Sequence, residues 1–239
     1  MKINIGCCGY SESKRKYFEE FQLVEIQQTF YQLPRLELAR KWRKEAPEDF
    51  EFTLKAWQLI THEPSSPTYR RLQEKIPEPA KARYGSFKPT REVLKAWERT
   101  EEIARALAAR IIVFQCPSSF QPTIENKANL RRFFETIDRE HYLFAWEPRG
   151  KWSPEEVKTL CSELDLIHCV DPFKNEATYG PIYYFRLHGR TGYKYRYTEE
   201  DFAELLKMCA GEKEVYCLFN NVYMLEDARR FKELCGPKT

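Results

Sequence analysis

No apolar run in this chain approaches the roughly eighteen residues that a membrane-spanning helix needs, so no membrane contact is expected. The opening residues 1–8 alternate like a strand and lack the apolar core of a signal peptide, which makes the cytoplasm the expected compartment. An excess of one charge is also missing. Lys and Arg number 39 against 36 Asp and Glu, a formal net charge of +3. That is too little for a protein whose affinity comes from neutralising many phosphates, so any nucleic-acid contact must be local. The eight cysteines (Cys7, Cys8, Cys116, Cys161, Cys169, Cys209, Cys217 and Cys235) include no C-x-x-C pair, the spacing that marks zinc and redox sites. They read as small buried hydrophobes. The Lys/Glu/Arg-rich balance is also compatible with a thermophile, where intracellular disulfides occur; a helix-borne pair such as Cys161 and Cys235 is then the alternative to free buried thiols. Finally, Gly6-Cys7-Cys8-Gly9-Tyr10 stands where a dinucleotide-binding sheet would carry its glycine-rich phosphate loop.

What is present is a globular composition, 42% hydrophobic and 31% charged, in a chain of 239 residues. That length is close to the roughly 250 residues of one eight-stranded α/β barrel. Short β-branched or aromatic runs alternate with amphipathic stretches eight times. The runs are Ile3–Cys8, Leu23–Gln27, Glu51–Lys55, Ile111–Cys116, Tyr142–Glu147, Leu166–Val170, Ile182–Leu187 and Glu214–Phe219. Several are apolar almost throughout, as strands buried on both faces are.

Pro34 suits a first helical position, with Leu38, Ala39, Trp42 and Ala46 on one face. Thr90, Ser153 (with Glu156) and Thr198 (with Asp201) read as helix caps, and Asn221 as the cap of the last helix. Strand–helix alternation implies parallel strands, and eight units can close without leaving an edge. The predicted fold is therefore a single α/β domain over residues 1–239, a TIM (β/α)₈ barrel. The proline-rich stretch Thr61–Pro89 breaks the rhythm after strand three; it is read as an insertion over 61–90, a lid or an extra short helix at the barrel mouth.

Five stretches, VEIQQTFYQLP (24–34), FTLKAWQLITHE (52–63), VFQCPSSF (113–120), YYFRLHGR (183–190) and VYCLFNN (215–221), resemble the YecE-like family, domain-of-unknown-function family seventy-two. The resemblance runs in order along nearly the whole chain. It implies a TIM barrel and no settled activity. Phe219-Asn220-Asn221 stands where the family commonly has Phe-Asp-Asn, Cys8 where it often has Ser, and Glu147-Pro148-Arg149-Gly150 where it has Glu-Phe-Arg-His. The Glu and Arg of that last string carry over and its histidine does not.

In such barrels, polar residues at the C-terminal strand ends face the ligand-binding mouth. Here those ends offer Glu25, Gln28, Lys55, His62, Gln115, Glu147, Arg149, Asp171, Arg186, His188, Arg190, Asn220 and Asn221. Glu25 and Glu147 lie in apolar surroundings and need cationic partners, for which Lys55, Arg149 and Arg186 are placed. One reading is a structural network of ion pairs closing the barrel end. The preferred reading is an enzyme with hydrolytic or acid–base chemistry on a phosphorylated or otherwise anionic small molecule. Glu25, Glu147 and His188 would then be catalytic, Arg186 and Arg190 would join His188 in holding the anion, and Lys55 and Arg149 would orient the carboxylates. His62, Gln115, Asp171, Asn220 and Asn221 complete the expected substrate site.

No cofactor is required by the sequence, although Glu25, Glu147, Asp171 and His188 form a conceivable divalent-metal set without a supporting motif. The glycines, cations and tyrosines of 186–197 suit phosphate. They suit nucleic acid equally, which makes a nucleic-acid-binding protein or nuclease the second reading and a non-catalytic scaffold the third. His141 and His168 are expected to be ordinary structural histidines.

Overall fold

The apolar runs form strands and the amphipathic stretches wrap them as helices, in a computed structural model that describes residues 2–236. Met1 and residues 237–239 of the expected 1–239 domain lie outside the described residues. The strands are β1 (Ile3–Cys7), β2 (Leu23–Ile26), β3 (Glu51–Lys55), β4 (Ile111–Gln115), β5 (Leu143–Glu147), β6 (Ile167–Val170), β7 (Tyr183–Leu187) and β8 (Val215–Phe219). Each pairs in parallel with the next and β8 returns to β1, closing the barrel. Most expected strands were one terminal residue too long. The helices are α1 (Lys14–Glu20), α2 (Gln28–Tyr31), α3 (Leu36–Glu45), α4 (Gln58–Thr61), α5 (Arg91–Leu107), α6 (Ile124–Thr136), α7 (Pro154–Glu163), α8 (Glu199–Met208) and α9 (Met224–Cys235).

Alternation along the strands sorts side chains into two layers. Leu23, Ile111, Val113, Ala145, Ile167, Cys169, Tyr184, Tyr216 and Leu218 form one cluster, filling the barrel. Across it the Thr53 and Tyr184 hydroxyls meet at 2.7 Å. The intervening positions, such as Phe52, Phe114, Phe144, Trp146 and Phe185, pack outward against the helices in a second, larger cluster. Gly6 lets β1 approach β2 closely, because a Cβ there would lie 2.3 Å from the Leu23 carbonyl oxygen.

Thr90 caps α5, and Ser153 and Thr198 form capping boxes on α7 and α8, as their spacing predicts. Four readings fail. Pro34 lies outside α3, whose N-cap is Arg35, and Leu38 faces solvent. Asn221 does not cap α9, whose N-cap is Tyr223; its side-chain amide is turned inward instead. Cys161 and Cys235 are free thiols, like the other six. Finally, the strand–helix alternation is interrupted, for residues 171–182 pass from β6 to β7 without a helix.

The 61–90 insertion holds two 3₁₀ turns, Pro67–Arg71 and Glu78–Arg83. It is fastened rather than loose. Backbone N–H groups of Gly85, Ser86 and Phe87 donate to the carbonyls of Leu59, Thr61 and Ile60. The Phe87 ring is fully buried among Phe114, Phe120, Phe133 and Phe134. Arg71 lies over the Tyr31 ring, and Glu74 pairs with Arg99 of α5. None of the insertion lines the cleft described below.

Candidate functional site

The parity that fills the barrel also aims the strand ends. Continuing inward from Leu23, Thr53, Val113, Ala145 and Tyr184 by two residues gives Glu25, Lys55, Gln115, Glu147 and Arg186, so the expected groups from five strands do converge at the C-terminal mouth.

Arg186, only 1% exposed, lies between the two carboxylates. Its Nε and Nη2 donate to Glu25 Oε2 and Oε1 at 3.0 and 2.8 Å, and its Nη1 donates to Glu147 Oε2. The Tyr184 hydroxyl donates to Glu25 Oε2 at 3.0 Å. Glu25 has no exposed surface and both its oxygens are occupied. Its carboxylate is thus turned to Tyr184 and Arg186 and away from the cleft, at odds with the catalytic role expected of it. Arg149 Nε donates to Glu147 Oε1 at 2.8 Å. Burial pushes the Glu147 carboxyl up, but Arg186 and Arg149 outweigh it and hold the group at about 2. Such a carboxylate stays ionised and is a weak base, which removes the acid–base pair once expected of Glu25 and Glu147.

Lys55 was expected to orient those carboxylates and does not. Its Nζ donates to the neutral Gln115 Oε1 at 2.7 Å and lies 3.6 Å from the centre of the Phe30 ring. Among the described residues no carboxylate comes within ion-pair distance of it. Burial, reinforced by Arg186, lowers its ammonium to about 7. The inner mouth thus contains three basic side chains, Lys55, Arg149 and Arg186, against the two carboxylates Glu25 and Glu147.

His188 follows β7. Its Nε2 receives a 2.8 Å hydrogen bond from Arg149 Nη2. Arginine can only donate, so the neutral ring is assigned its proton on Nδ1, which faces Asp171 Oδ2 at 3.6 Å. Asp171 in turn accepts the backbone N–H groups of Phe173 and His188. Burial lowers the His188 imidazole below its ordinary value, partly countered by Asp171. Glu147, Arg149, Asp171 and His188 share one cleft of about 430 Å³.

Other expected groups are placed elsewhere. His62 is buried on Phe30, its Nδ1 2.8 Å from the Thr61 hydroxyl, and burial with Lys55 nearby drops it to about 3. Asn220 accepts from Gln27 at 2.7 Å. Asn221 donates to the Tyr195 carbonyl and to Asp227, as an interior clamp between the last two loops. Arg190 turns from the mouth to Asp201 and Glu204 of α8 and covers the Phe173 ring. Arg196 pairs with Glu226. Tyr197 is buried, with its hydroxyl accepting the Gly189 N–H, and Tyr195 donates to Asp201. The cations and stacking rings required by the nucleic-acid reading of 186–197 are thus largely spent within the fold. The conceivable metal set is not assembled either: Arg186 separates Glu25 from Glu147, and among the described residues no three His, Cys, Asp or Glu side chains are grouped to hold a metal ion.

One cleft residue escaped the sequence reading. His168 points outward from β6, yet its ring lines the cleft, because β6 is followed by the non-helical 171–182 segment. The cleft therefore runs from the mouth down the outside of β6, walled by Trp152, Pro154 and Val157. The signal was Pro172, Gly180 and Pro181 in a segment with no helical stripe.

Among the described residues no helix is long and apolar enough to cross a membrane. UPF0759 protein YunF of Bacillus subtilis (strain 168) is 25% identical over 242 residues, covering 86% of this chain and 79% of that protein. A crystal structure of a DUF72 family protein from Enterococcus faecalis V583 superposes with a TM-score of 0.74 at 24% identity, over 99% of this chain and 98% of the other. The same barrel recurs, at 13% identity and a TM-score of 0.58, in a D-psicose 3-epimerase determined in the presence of D-fructose, over 97% and 96% of the two chains. The family described as "Protein of unknown function DUF72" matches residues 5–239, and the chain belongs to that family.

Proposed function

We propose that this barrel is an enzyme that carries out acid–base chemistry on an anionic small molecule at its C-terminal mouth, with His188 as the proton-transfer group. The observation that carries the reading is the position of Arg149, which closes the lone pair of His188 Nε2 while its own side chain is about one-third exposed (34%) at the edge of the cleft. An arriving phosphate or carboxylate competes for that guanidinium, since charge-assisted contacts to an anion are stronger than one to a neutral imidazole. As Arg149 turns to the anion, Nε2 is uncovered with its lone pair facing the ligand. Asp171 then stabilises the imidazolium formed when His188 takes a proton.

The remaining charges fit that scheme. Lys55 is the cation without a carboxylate, and an anion bound nearby would favour its protonated form. Glu147, fixed as a carboxylate, holds Arg149 in reach of the cleft, and Glu25 holds Arg186. The proton removed is either one on carbon next to a carbonyl or one on an attacking water. The first gives epimerisation or isomerisation, the second hydrolysis. The fold shared with a D-psicose 3-epimerase makes hydroxylated carbonyl compounds a class to test.

The test is incubation of the protein with phosphorylated sugars and sugar acids in D₂O, followed by NMR for deuterium on carbon and by phosphate release. One of these signals is expected, falling about 10²–10⁴-fold in His188→Gln, the usual contribution of a positioned acid–base group. Undiminished turnover by His188→Gln would overturn the proposal.

A further inference from the structure

The cleft continues beyond the groups used above, and its outer arm has a chemistry of its own. His168 is 6% exposed and its orientation is fixed from behind. Nδ1 accepts the Thr178 backbone N–H at 3.1 Å and lies 3.1 Å from the Thr178 hydroxyl. A ring nitrogen that accepts from a backbone N–H carries no proton, so the neutral imidazole presents its proton on Nε2. Burial lowers this histidine to about 4, so the neutral form prevails at physiological pH. Nε2 has no protein partner among the described residues, and the ring lines the cleft. The result is a nearly buried, pre-oriented donor awaiting an acceptor.

Opposite chemistry flanks it. Trp152 spends its indole N–H on the Phe120 carbonyl at 2.8 Å, so it has only its ring to offer the cleft, beside the apolar side chains of Pro154 and Val157. Asn175 and Thr178 supply further polar groups on the 171–182 segment. A purely apolar guest would leave the His168 Nε2–H unpaired, which is costly in a buried place. A fully polar guest would waste the Trp152 wall. A ring with C–H faces and hydroxyl edges satisfies both.

We infer that the outer arm, beside β6, is a subsite for a hydroxylated ring of the monosaccharide class, with His168 Nε2–H donating to one of its oxygens. The ligand of this protein is then a sugar carrying an anionic group, the ring beside His168 and the anion on Arg149. Only the placement of the anion rests on the proposed function; the ring subsite stands on His168 and its walls.

The experiment titrates ¹⁵N-histidine-labelled full-length protein with inorganic phosphate, with a panel of neutral monosaccharides, and with the corresponding sugar phosphates. Expected are shifts of the His168 Nε2 resonance with a neutral sugar and with its phosphate. The sugar phosphate should bind at least about tenfold tighter than phosphate alone, equivalent to about 1.4 kcal/mol. His168→Phe should lose that advantage while retaining phosphate binding, which also certifies its fold; His168→Gln, which keeps a donor, should recover part of it. If phosphate binds but no sugar moves His168 and no sugar phosphate gains affinity, the subsite is overturned while the mouth reading survives. If a sugar moves His168 but phosphate does not bind, the subsite stands and the placement of the anion falls.

Discussion

Arg186 grips Glu25 with two nitrogen atoms, Nε at 3.0 Å and Nη2 at 2.8 Å, in a barrel interior where neither residue is more than 1% exposed. The same guanidinium binds Glu147, so one cation bridges two buried carboxylates from β2 and β5, three strands apart in the barrel. Removing a single partner of a buried ion pair leaves an uncompensated charge. Arg186→Met is expected to lower unfolding free energy by about 3–5 kcal/mol. Urea denaturation checks it; a loss below about 1 kcal/mol would show that the cluster is far better hydrated than its burial implies.

Lys55 predicts the opposite sign. Its folded value, about 7, lies below the ordinary 10.5, so the folded state disfavours the ammonium. The cost is complete below pH 7 and is relieved as pH rises from 7 toward 10.5, where the unfolded chain also loses the proton. Lys55→Met removes that cost. The variant should be more stable than the parent at pH 6, with the advantage shrinking toward pH 10. Thermal melts of both proteins across that range decide it, and a gap that widens with pH would reject the assignment.

The histidines should divide by tautomer. His62 at about 3 and His168 at about 4 stay neutral through pH 5–8, with the His168 proton on Nε2. His188 should be neutral at pH 7 with its proton on Nδ1. Long-range ¹H–¹⁵N spectra distinguish the two forms directly. Identical tautomers for His168 and His188 would contradict the hydrogen-bond pattern.

Phe87 should act as the rivet of the 61–90 insertion. Its ring is fully buried in an aromatic cluster. Phe87→Ala is expected to cost about 3–5 kcal/mol. Proteolysis should then cut first between 63 and 86, where the backbone loses its anchorage to Leu59, Ile60 and Thr61. An unchanged digestion pattern would mean that the Glu74–Arg99 and Arg71–Tyr31 contacts hold the segment unaided.

The barrel was legible because period-two burial leaves its mark in every strand. Leu23-x-Glu25, Thr53-x-Lys55 and Ala145-x-Glu147 each place a charge two residues beyond an inward apolar or hydroxyl side chain. The convergence of Glu25, Lys55, Glu147 and Arg186 followed from that parity. Pairing did not, because which cation meets which carboxylate depends on side-chain reach across the barrel. Lys55 and Arg186 occupy equivalent inward positions, yet Arg186 spans both acids while Lys55 ends on Gln115. Arg190 misled for a similar reason: a glycine-bounded loop with many cations resembles a phosphate site until Asp201 and Glu204 of the following helix claim them. His168 was hidden because an outward strand residue ordinarily meets the crossover helix that follows its strand, whereas β6 is followed by the non-helical 171–182 segment, whose Thr178 lies behind the ring.

On the proposed function, an anion entering the mouth draws Arg149 away from His188. The most direct test is the ¹⁵N titration of His188 with and without saturating inorganic phosphate, in the parent protein and in Arg149→Gln. Phosphate should bind the parent, shift Nε2 as the guanidinium contact is lost, and raise the apparent pKa of His188, because a depressing cation is neutralised; Arg149→Gln should bind phosphate at least about tenfold more weakly. Equal phosphate affinity in the two proteins, or binding that leaves the His188 nitrogens unmoved, would mean that Arg149 does not leave His188 for the anion.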